Sequence, residues 1–476
     1  MEFESVIGLE IHVEMKTKSK MFSNAPVKFG AIPNTLVRPL DMAFPGTMPV
    51  VNKQAVINAI RVCYALNMKI DQEIHFDRKN YFYSDLPKGY QITQQFRPIG
   101  SDGYLDIYVN GNKKRIEIER LHMEEDTCKQ LHFPGYTLLD YNRAGTPLIE
   151  IVTRPTIRSG IEAQKYVEMI RQIVVYADVS DGKMEEGSLR CDVNISIRPK
   201  GETKFGTKVE IKNLNSTANI QKAIDYEAKR QKEVIENGGT ILQETRRFDE
   251  ELKQTVVMRL KTDAVDYKYF EEPNIVPIKI SDEFVKNAIE SCDELANVKK
   301  ERYIEQFKLS EVDADIILSN KDLSLYFDEC AKIYHNYVAI KNWLIGDILS
   351  YLNKNFLSIK ELDLSPNKLI ELIKLVDNKE ISTKQGREIF NLMLEEGLDA
   401  NKAKEKLGIT SQISDENSLL PIIKEVLDNN AQSILDYKAG KDRALSYLMG
   451  QVMKITHGKV NPSLTTKLIL EEINKR

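Results

Sequence analysis

The sequence lacks the features that mark membrane proteins, secreted proteins and uniformly basic proteins. Its 476 residues include only five cysteines, scattered and without a CxxC pair, which excludes a disulfide framework and a cysteine zinc site. No apolar run is long enough to span a bilayer, and the acidic start Met1–Glu4 is unlike a signal peptide. The 67 basic and 71 acidic residues give a net charge of −4, which excludes a histone-like nucleic-acid binder. We therefore expect a soluble, cytoplasmic protein.

The common nucleotide-binding and hydrolase motifs are also missing. The phosphate-cradling motif GxxxxGK[ST] is approached only by Gly201–Lys208, where threonine and lysine stand in reverse order, so a hairpin turn is the better interpretation. No GxGxxG opens a βαβ unit, and neither GxSxG nor HExxH occurs. If the chain uses ATP, it binds the nucleotide at an unusual site.

Proline and glycine divide the chain into two parts of different character. Residues 1–280 hold 13 of the 16 prolines and 16 of the 23 glycines, together with most of the alternating apolar segments. After about residue 290, Leu, Ile, Lys and Glu recur at helical spacing, as in Lys368–Val376. The fold class predicted is α+β, with a mainly antiparallel sheet in a domain over 1–292. A helical domain over 293–406 and a small helical tail domain over 407–476 follow.

Four segments of the first part alternate between apolar and polar residues at the period of a β-strand, which gives each strand one polar face. The polar residues are Glu10, His12 and Glu14; His122, Glu124 and, at the strand exit, Glu125; Asp192, Asn194 and Ser196; and Lys208, Glu210 and Lys212. Any solvated sheet face alternates in this way, but these positions are rich in carboxylates, His and Asn. Oxygen-rich sets of this kind suit Mg²⁺. Whether the strands are neighbours does not follow from their spacing.

The segment Phe76–Thr93 interleaves basic and aromatic residues. They are Arg78, Lys79 and Lys88, with Tyr81, Tyr83 and Tyr90. Basic groups neutralise phosphates and aromatic rings stack on exposed bases, so the segment fits a nucleic-acid contact. A tyrosine-rich packing strand and turn explains the same residue types equally well, and both interpretations stay open.

The run Leu138–Thr153, LLDYNRAGTPLIEIVT, resembles the signature of the B subunits of glutamyl/aspartyl-tRNA amidotransferases. Further motifs of that family occur in the same order along the chain: Leu9–His12, Asp77–Phe82, Leu121–Asp126, Lys183–Asn194, Lys212–Asn215 and Glu244–Asp249. The similarity extends from residue 1 to residue 476.

This resemblance implies both a fold and an activity. Members have a "cradle" α+β domain, a helical domain and a tail domain, and they form a heterotrimer with an amidase-type A subunit and a small C subunit. With ATP and Mg²⁺, the enzyme phosphorylates the side-chain carboxylate of Glu-tRNA(Gln) or Asp-tRNA(Asn). Ammonia that the A subunit releases from glutamine then displaces the phosphate, giving Gln-tRNA(Gln) or Asn-tRNA(Asn). The chain would thus belong to an ATP-consuming ligase that forms C–N bonds.

Two other functions remain possible at this point. The chain could be a non-catalytic scaffold that docks tRNA while the chemistry occurs elsewhere, although a pure RNA binder would not gather carboxylates near its partner. It could also be a metal-dependent nuclease or hydrolase.

The implied chemistry suggests roles for individual residues, because phosphoryl transfer needs divalent ions and basic clamps. The candidate metal-organising residues are Glu10, His12, Glu124, Glu125, Glu150, Asp192 and Glu210. Candidate clamps for ATP and phosphate are Lys79, Arg190 and Lys208. Asn142 and Arg143 either position the aminoacyl carboxylate or tie down the signature loop. For each residue, a purely structural hydrogen-bonding role is the alternative.

The sequence departs from the family pattern at two places. Many members carry two cysteine pairs that hold zinc in the region matching 21–40, but Met21–Gly30 contains no cysteine, so we expect no zinc. Lys268 stands where the family usually has Arg; lysine keeps the charge but loses bidentate geometry, so Lys268 is not a catalytic candidate.

The end of the chain is basic although the whole is acidic. Residues 437–476 contain eight basic and three acidic residues, a net charge of +5. A solvated helix face would explain the charge by itself, but the tail domain of the family contacts the outer corner of tRNA. The resemblance therefore favours a tail that grips tRNA through its phosphates.

Overall fold

The computed structural model describes residues 2–260, 266–409, 416–456, 460 and 462–476. The chain forms two compact units, Met1–Val298 and Lys299–Arg476. The predicted α+β class, with a sheet-rich first part and a helical second part, is confirmed. The predicted junction around residues 408–417 lies partly outside the described residues, so the separation of a tail domain at residue 407 stays a prediction. Across the described residues, no helix combines the length and the apolar content needed to cross a bilayer.

Sixteen strands lie among the described residues of the first unit. They are β1 Phe3–Glu14, β2 Lys69–Ile70, β3 Glu73–Ile74, β4 Asp77–Asn80, β5 Tyr90–Thr93, β6 Gly100–Val109, β7 Asn112–Glu125, β8 Lys129–Phe133, β9 Tyr136–Asp140, β10 Pro147–Thr153, β11 Leu189–Pro199, β12 Val209–Lys212, β13 Glu244–Asp249, β14 Gln254–Leu260, β15 Phe270–Glu271 and β16 Ile278–Lys279. Nine of them form the main sheet in the order β14–β13–β12–β11–β1–β10–β7–β6–β2. Its pairings are antiparallel except for β12 with β13. The other strands form a three-stranded sheet, β15–β4–β5, and the pairs β16–β3 and β8–β9.

Helices cover the apolar face of the main sheet. They are α1 Lys53–Ala65, α2 Gly160–Tyr176 and α3 Thr217–Glu236, and α4 Asp282–Glu290 packs on α1. The odd-numbered side chains of β1 from Ile7 to Val13 are buried in the core beneath them. Serine begins three of these four helices, because the side chains of Ser159, Ser216 and Ser281 accept hydrogen bonds from backbone N–H groups of the first turn. Apolar burial therefore fixes which face of the sheet is left for polar groups.

The second unit is built from helices, and α5 begins just before it. The helices are α5 Ala296–Glu305, α6 Glu311–Leu318, α7 Lys321–Ile333, α8 Tyr337–Asn342, α9 Leu349–Asn355, α10 Pro366–Asp377, α11 Thr383–Glu396, α12 Ala400–Lys406, α13 Glu416–Asp428, α14 Ala431–Lys438, α15 Arg443–Ile455 and α16 Pro462–Lys475. A π-helical turn, Trp343–Ile348, joins α8 to α9, and a 3₁₀ turn covers Ile359–Glu361. The helices α13 to α16 enclose a hydrophobic cluster of their own, which includes Leu427, Leu448 and Ile469.

Candidate active site

Polar residues of adjacent strands meet on one face of the main sheet. The strands β12, β11, β1, β10 and β7 are consecutive neighbours in it. Glu150 of β10 lies opposite both His12 of β1 and His122 of β7, and His12 lies opposite Arg190 of β11. Directly opposed residues of paired strands share a face, so these four side chains form one row across four strands. The segments with polar faces are thus neighbours, and β10 lies between two of them.

The first group of possible ligands, here called the histidine cluster, consists of His12, Glu124 and Glu150. His12 Nε2 lies 3.6 Å from Glu124 Oε1 and 3.5 Å from Glu150 Oε2. The neighbouring His122 Nε2 lies 2.9 Å from Glu150 Oε2 and 3.5 Å from Glu124 Oε2. One donor atom from each cluster member lies within 4.8 Å of the other two. Three ligand atoms from three strands are therefore held close enough to share one ion.

The charges of the histidine cluster stabilise one another. Burial disfavours the ionised form of Glu150, but His122 and His12 outweigh it and hold the pKa of this carboxyl well below its ordinary value. Burial opposes the charge of His122, but Glu150 and Glu124 raise the pKa of this imidazole to about 9. The pKa of His12 is raised in the same way against the effect of burial. Binding of a divalent cation would therefore compete with protonation of His12.

The second group, here called the carboxylate cluster, consists of Glu10, Asp192 and Glu210, whose oxygen atoms approach to within 4.8 Å of one another. Asn194 Nδ2 donates to Glu10 Oε1 at 2.9 Å. Lys212 Nζ donates to Asp192 Oδ2 at 2.5 Å and lies 3.4 Å from Glu210 Oε1. Burial raises the pKa of Glu10, and the fields of Glu150 and Asp192 add to this effect against the bond from Asn194. One lysine thus partly compensates three crowded carboxylates.

The two clusters fit hard divalent cations. Their donor atoms are five carboxylate groups and one imidazole, which is the ligand chemistry of Mg²⁺ or Mn²⁺ rather than of a thiolate-bound ion. Burial raises the pKa of Glu10, and repulsion by the nearby carboxylates of Glu150 and Asp192 raises it further. The buried His122 Nδ1 has no hydrogen-bond partner among the described residues. The imidazole that flanks the histidine cluster therefore uses only one of its two nitrogen atoms in contacts with the protein. An added cation would relieve the repulsion.

Lys79 lies at the edge of the histidine cluster on the separate sheet β15–β4–β5. Its Nζ lies 4.9 Å from the ring centroid of Tyr267 and 5.8 Å from that of Tyr81. Burial opposes its charge, but Glu124, Tyr269 and Glu150 raise the pKa of Lys79 overall. The lysine is therefore a cation that faces the cluster, as a phosphate clamp requires.

Glu125 and Arg190 are engaged in other interactions beside the clusters. The carboxylate of Glu125 accepts hydrogen bonds from Lys88 Nζ and, at 3.0 Å, from the backbone N–H of Ile92, so the structure does not bring it into either cluster. Arg190 Nη2 donates to Asp126 Oδ2 at 2.5 Å and lies 3.9 Å from Glu14 Oε1. Arg190 is nevertheless close to His12, because the two residues are opposed in the sheet.

Asn142 and Arg143 hold the signature loop between β9 and β10. Asn142 Nδ2 donates to the carbonyl of Ile32 at 2.7 Å, and its Oδ1 accepts the N–H of Leu36 at 2.7 Å. Arg143 donates to the carbonyls of Thr127 at 2.9 Å and Cys128 at 3.0 Å. Of the two roles considered for this pair, these contacts support tying down the loop.

A buried ion pair fastens the same loop to the segment after β1. Lys20 Nζ lies 3.4 Å from Asp41 Oδ2, and the two side chains are 0% and 2% exposed. Lys20 also donates to the carbonyl of Tyr141 at 3.2 Å, and Ser23 Oγ donates to Asp41 Oδ1 at 2.8 Å. The packing is close, since a Cβ added to Gly145 would lie 3.2 Å from both Lys20 and Asp41.

Lys208 lies just before β12 and lines a cavity of about 220 Å³ at the edge of the polar face. Glu10 of the carboxylate cluster lines the same cavity, whose apolar wall includes Val152 and Phe205. Gly8 contributes to the lining, and a Cβ built on it would meet no atom closer than 3.8 Å. A small apolar group attached to an anion would fit between this wall and the lysine.

Comparison with known proteins agrees with the resemblance seen in the motifs. A family profile described as "GatB/GatE catalytic domain" matches residues 5–286, and one described as "GatB domain" matches residues 325–473. The B subunit of the aspartyl/glutamyl-tRNA(Asn/Gln) amidotransferase of Staphylococcus saprophyticus is 50% identical over 476 residues, which is 100% of both chains. The proteins of the same name from Geobacillus thermodenitrificans and Staphylococcus aureus are 50% and 49% identical, again over 100% of both chains. The chain belongs to the family of amidotransferase B subunits. The family predicted from the motifs is confirmed.

Several residues of this amidotransferase B subunit that lie at the clusters were not among the predicted site residues. The alternation pattern placed His122 on the polar face with Glu124, but it was not chosen as a site residue. Lys212 is two residues from Glu210 and was visible in the same way. Asp126 follows the end of β7, where alternation no longer applies, and its contact with Arg190 has no local sequence signal.

Proposed function

We propose that this chain is the catalytic B subunit of a heterotrimeric, ATP-consuming tRNA-dependent amidotransferase. It would activate the side-chain carboxylate of Glu-tRNA(Gln), Asp-tRNA(Asn) or both by phosphorylation. Ammonia from glutamine would then replace the phosphate to form the amide. The single observation that carries this proposal is the pair of ligand clusters on one sheet face, where Glu10 and His12 are separated by one residue of β1.

The proposed chemistry needs a better leaving group than a carboxylate oxygen can be. Transfer of the γ-phosphoryl group of ATP to the carboxylate gives an acyl phosphate and releases ADP. Ammonia then attacks the carbonyl carbon and loses a proton, and inorganic phosphate leaves with the bonding electron pair. Mg²⁺ ions held by the histidine cluster and the carboxylate cluster would supply the charge neutralisation that phosphoryl transfer requires. Lys79 on the small sheet and Arg190 on β11 would both orient phosphate oxygens. Lys208, at the cavity lined by Phe205, would hold the nucleotide.

The glutaminase activity and complex assembly would come from an amidase-type A subunit and a small C subunit, as the resemblance implies. The reaction would take place in the cytoplasm, where aminoacyl-tRNA is made. The roles of Asn142 and Arg143 in this proposal are indirect, because their side chains hold the loop that follows β9.

A substitution in the histidine cluster tests the proposed function. Glu150→Gln keeps the shape of the side chain but removes the charge that lies 2.9 Å from His122. In the assembled complex we expect ATP-dependent amide formation on mischarged tRNA to fall by about a hundredfold or more, with tRNA binding retained. The matched control is Glu119→Gln on the same strand as His122, because Glu119 is exposed and outside both clusters.

Other outcomes would favour the alternative functions. Full amide formation by the Glu150→Gln complex would contradict the proposal and support a docking scaffold. Cleavage of tRNA by the complex with Mg²⁺ would support a nuclease instead.

We also propose that the basic residues of the last helices grip the tRNA backbone. Lys438, Arg443 and Lys454 are exposed and form no ion pair within the part of the chain that the structure describes. By contrast, Lys441 pairs with Asp436 at 3.0 Å. The unpaired cations are therefore available to phosphates.

Charge removal tests this grip without truncating the helices. Changing Lys438, Arg443 and Lys454 together to Gln should weaken tRNA binding. It should also reduce the slope of log affinity against log salt by about 0.7–0.9 for each phosphate that the variant no longer neutralises. The control variant replaces Lys441 and Lys467, which already have acidic partners. It should change the affinity for tRNA and the salt slope less than the triple variant does. An unchanged slope in the triple variant would contradict the proposed grip.

A further inference from the structure

Three tyrosines lie on the side of the small sheet that faces the histidine cluster. In the pairing of β4 with β5, Lys79 is opposite Gln91 and Asp77 is opposite Thr93. Thr93 Oγ1 in turn donates to Glu124 Oε2 at 3.4 Å, so this face of the small sheet looks onto the cluster. Lys79 Nζ of this face lies 5.8 Å from the ring centroid of Tyr81 and 4.9 Å from that of Tyr267, and the ring of Tyr267 contacts that of Tyr269.

The rings of Tyr81, Tyr267 and Tyr269, here called the tyrosine wall, contact one another edge to face. The centroid of Tyr267 lies 5.9 Å from that of Tyr81 and 5.9 Å from that of Tyr269, at interplanar angles of 70° and 67°. All three residues are only partly buried, and the adjoining Phe96 is 63% exposed. Rings that served only as core packing would be covered, so the wall keeps aromatic surface free for a ligand.

The tyrosine wall is held rigidly although it belongs to an irregular segment. Asn80 donates to the carbonyls of Tyr267 at 3.0 Å and Lys268 at 2.7 Å, through its backbone N–H and its side chain. Arg78 binds Glu272 bidentately, with contacts of 2.6 Å and 3.0 Å, and the side chain of Glu272 is fully buried. The rings are therefore positioned before a ligand arrives, which lowers the entropic cost of binding it.

The electrostatics of the site restrict how RNA can approach. In the proposed function Lys79 and the cations of the two clusters bind the phosphates of ATP, so the part of the RNA nearest the reacting amino acid has to rest on the aromatic surface beside them. An ester joins the amino acid to the terminal ribose, so only a few bonds separate the side-chain carboxylate from that ribose. A carboxylate that reaches the histidine cluster thus brings the terminal base next to that cluster, where the tyrosine wall lies.

We propose that the tyrosine wall is the stacking platform for the terminal adenosine of the aminoacylated RNA, and that Tyr267 at its centre is the main contact. This inference rests on the proposed function, since it names the subsite that holds the RNA end of the same substrate. Unpaired bases of single-stranded RNA stack on aromatic rings, and every base offers a π face for this contact. The wall selects a substrate that carries a nucleoside over a free amino acid.

The test combines a protein variant with a shortened RNA. Binding of uncharged tRNA to the assembled complex is measured with the complete 3′ end and with the terminal adenosine removed. Tyr267→Ala should weaken binding of the complete tRNA by about 5- to 150-fold, the range for removal of one base–aromatic stack. The variant and the unmodified complex should bind the shortened tRNA equally. Tyr267→Phe, which keeps the ring, should restore binding of the complete tRNA.

Phe270→Ala is the matched control. Phe270 is 46% exposed and lies on the opposite face of the small sheet, 5.6 Å from the guanidinium of Arg78, so its removal should not change either binding constant.

Three results would overturn the inference. Equal weakening for both tRNAs would mean that Tyr267 acts on the fold or on another part of the RNA. A rise in the KM for ATP with unchanged tRNA binding would assign the wall to the nucleotide base. No effect of Tyr267→Ala on either substrate would leave the wall without a role in binding. None of these results depends on the Glu150→Gln experiment, so the inference can fail while the proposed function stands.

Discussion

The buried pair Lys20–Asp41 gives a prediction whose magnitude follows from the structure. The two side chains are 0% and 2% exposed, and Asp41 is the only carboxylate within 4.0 Å of Lys20 Nζ among the described residues. Asp41→Asn would keep hydrogen-bond acceptance from Ser23 Oγ but would leave the ammonium without its counter-charge. Removing one member of a buried ion pair costs about 3–5 kcal/mol, which we expect as the loss in free energy of unfolding of the first unit.

The same variant should change the dependence of stability on pH. Burial lowers the pKa of Lys20, and Asp41 opposes this effect. Without Asp41 the pKa in the folded state falls further below that of the unfolded chain. Between the two values the unfolded chain binds more protons, so the stability of the variant should rise with increasing pH more steeply than that of the unchanged protein.

Circular dichroism in a denaturant series measures this loss at several pH values. The fluorescence of the one tryptophan is unsuitable, because Trp343 belongs to the second unit. Glu2→Gln, which removes half of an exposed pair with Lys200, is the control and should leave the midpoint unchanged. The double variant Lys20→Met/Asp41→Leu should recover most of the loss, because no buried charge remains. An Asp41→Asn midpoint equal to that of the unchanged protein would refute the reasoning.

Three further predictions concern the clusters, the core and a surface carboxylate. Glu124→Gln should lower Mg²⁺ affinity in calorimetric titration at least about tenfold, whereas Glu125→Gln should not, because Glu125 is bound by Lys88 outside both clusters; equal losses would contradict this assignment. Gly160→Ala should lower the free energy of unfolding by about 1–3 kcal/mol, because the new Cβ would lie 2.6 Å from a backbone carbonyl oxygen of α3; an unchanged denaturation midpoint would show that the helices separate without cost. Hydrogen bonding to Arg115 lowers the pKa of Asp106 from 3.8 to about 2, so its stabilising effect should be complete above pH 3.8 and lost as the pH falls through about 2; in a carboxyl NMR titration Arg115→Ala should move the midpoint back towards 3.8, and a midpoint that stays near 2 would exclude this cause.

The sequence predicted the site through alternation, and the structure explains where that reasoning ends. Period-two patterning identified the polar faces of β1, β7, β11 and β12, because one face of each strand is buried. The order of the strands in the sheet depends on long-range pairing, which local periodicity does not encode. Glu150 could therefore be named from the signature, but its position between His12 and His122 could not be predicted.

Contacts between distant loops were beyond sequence analysis for the same reason. Lys20 and Asp41 contact the loop at Gly145, which lies more than a hundred residues further along the chain. Neither position has a local sequence pattern that predicts this contact. The tyrosines at 267 and 269 join β4 from nearly 190 residues away, although the basic and aromatic mixture around Tyr81 had already suggested an RNA contact. In the second unit helical spacing was sufficient to predict helices, because apolar residues recur there with the period of a helix.

The placement of Glu10 and His12 on one strand has a geometric consequence for catalysis. Two residues along a β-strand advance the backbone by about 7 Å, whereas two metal centres that share one bridging oxygen lie about 3.5–4 Å apart. The backbone positions of Glu10 and His12 on β1 are therefore farther apart than two such centres. Because both residues belong to one strand, a shift of β1 would move one ligand of each cluster at the same time.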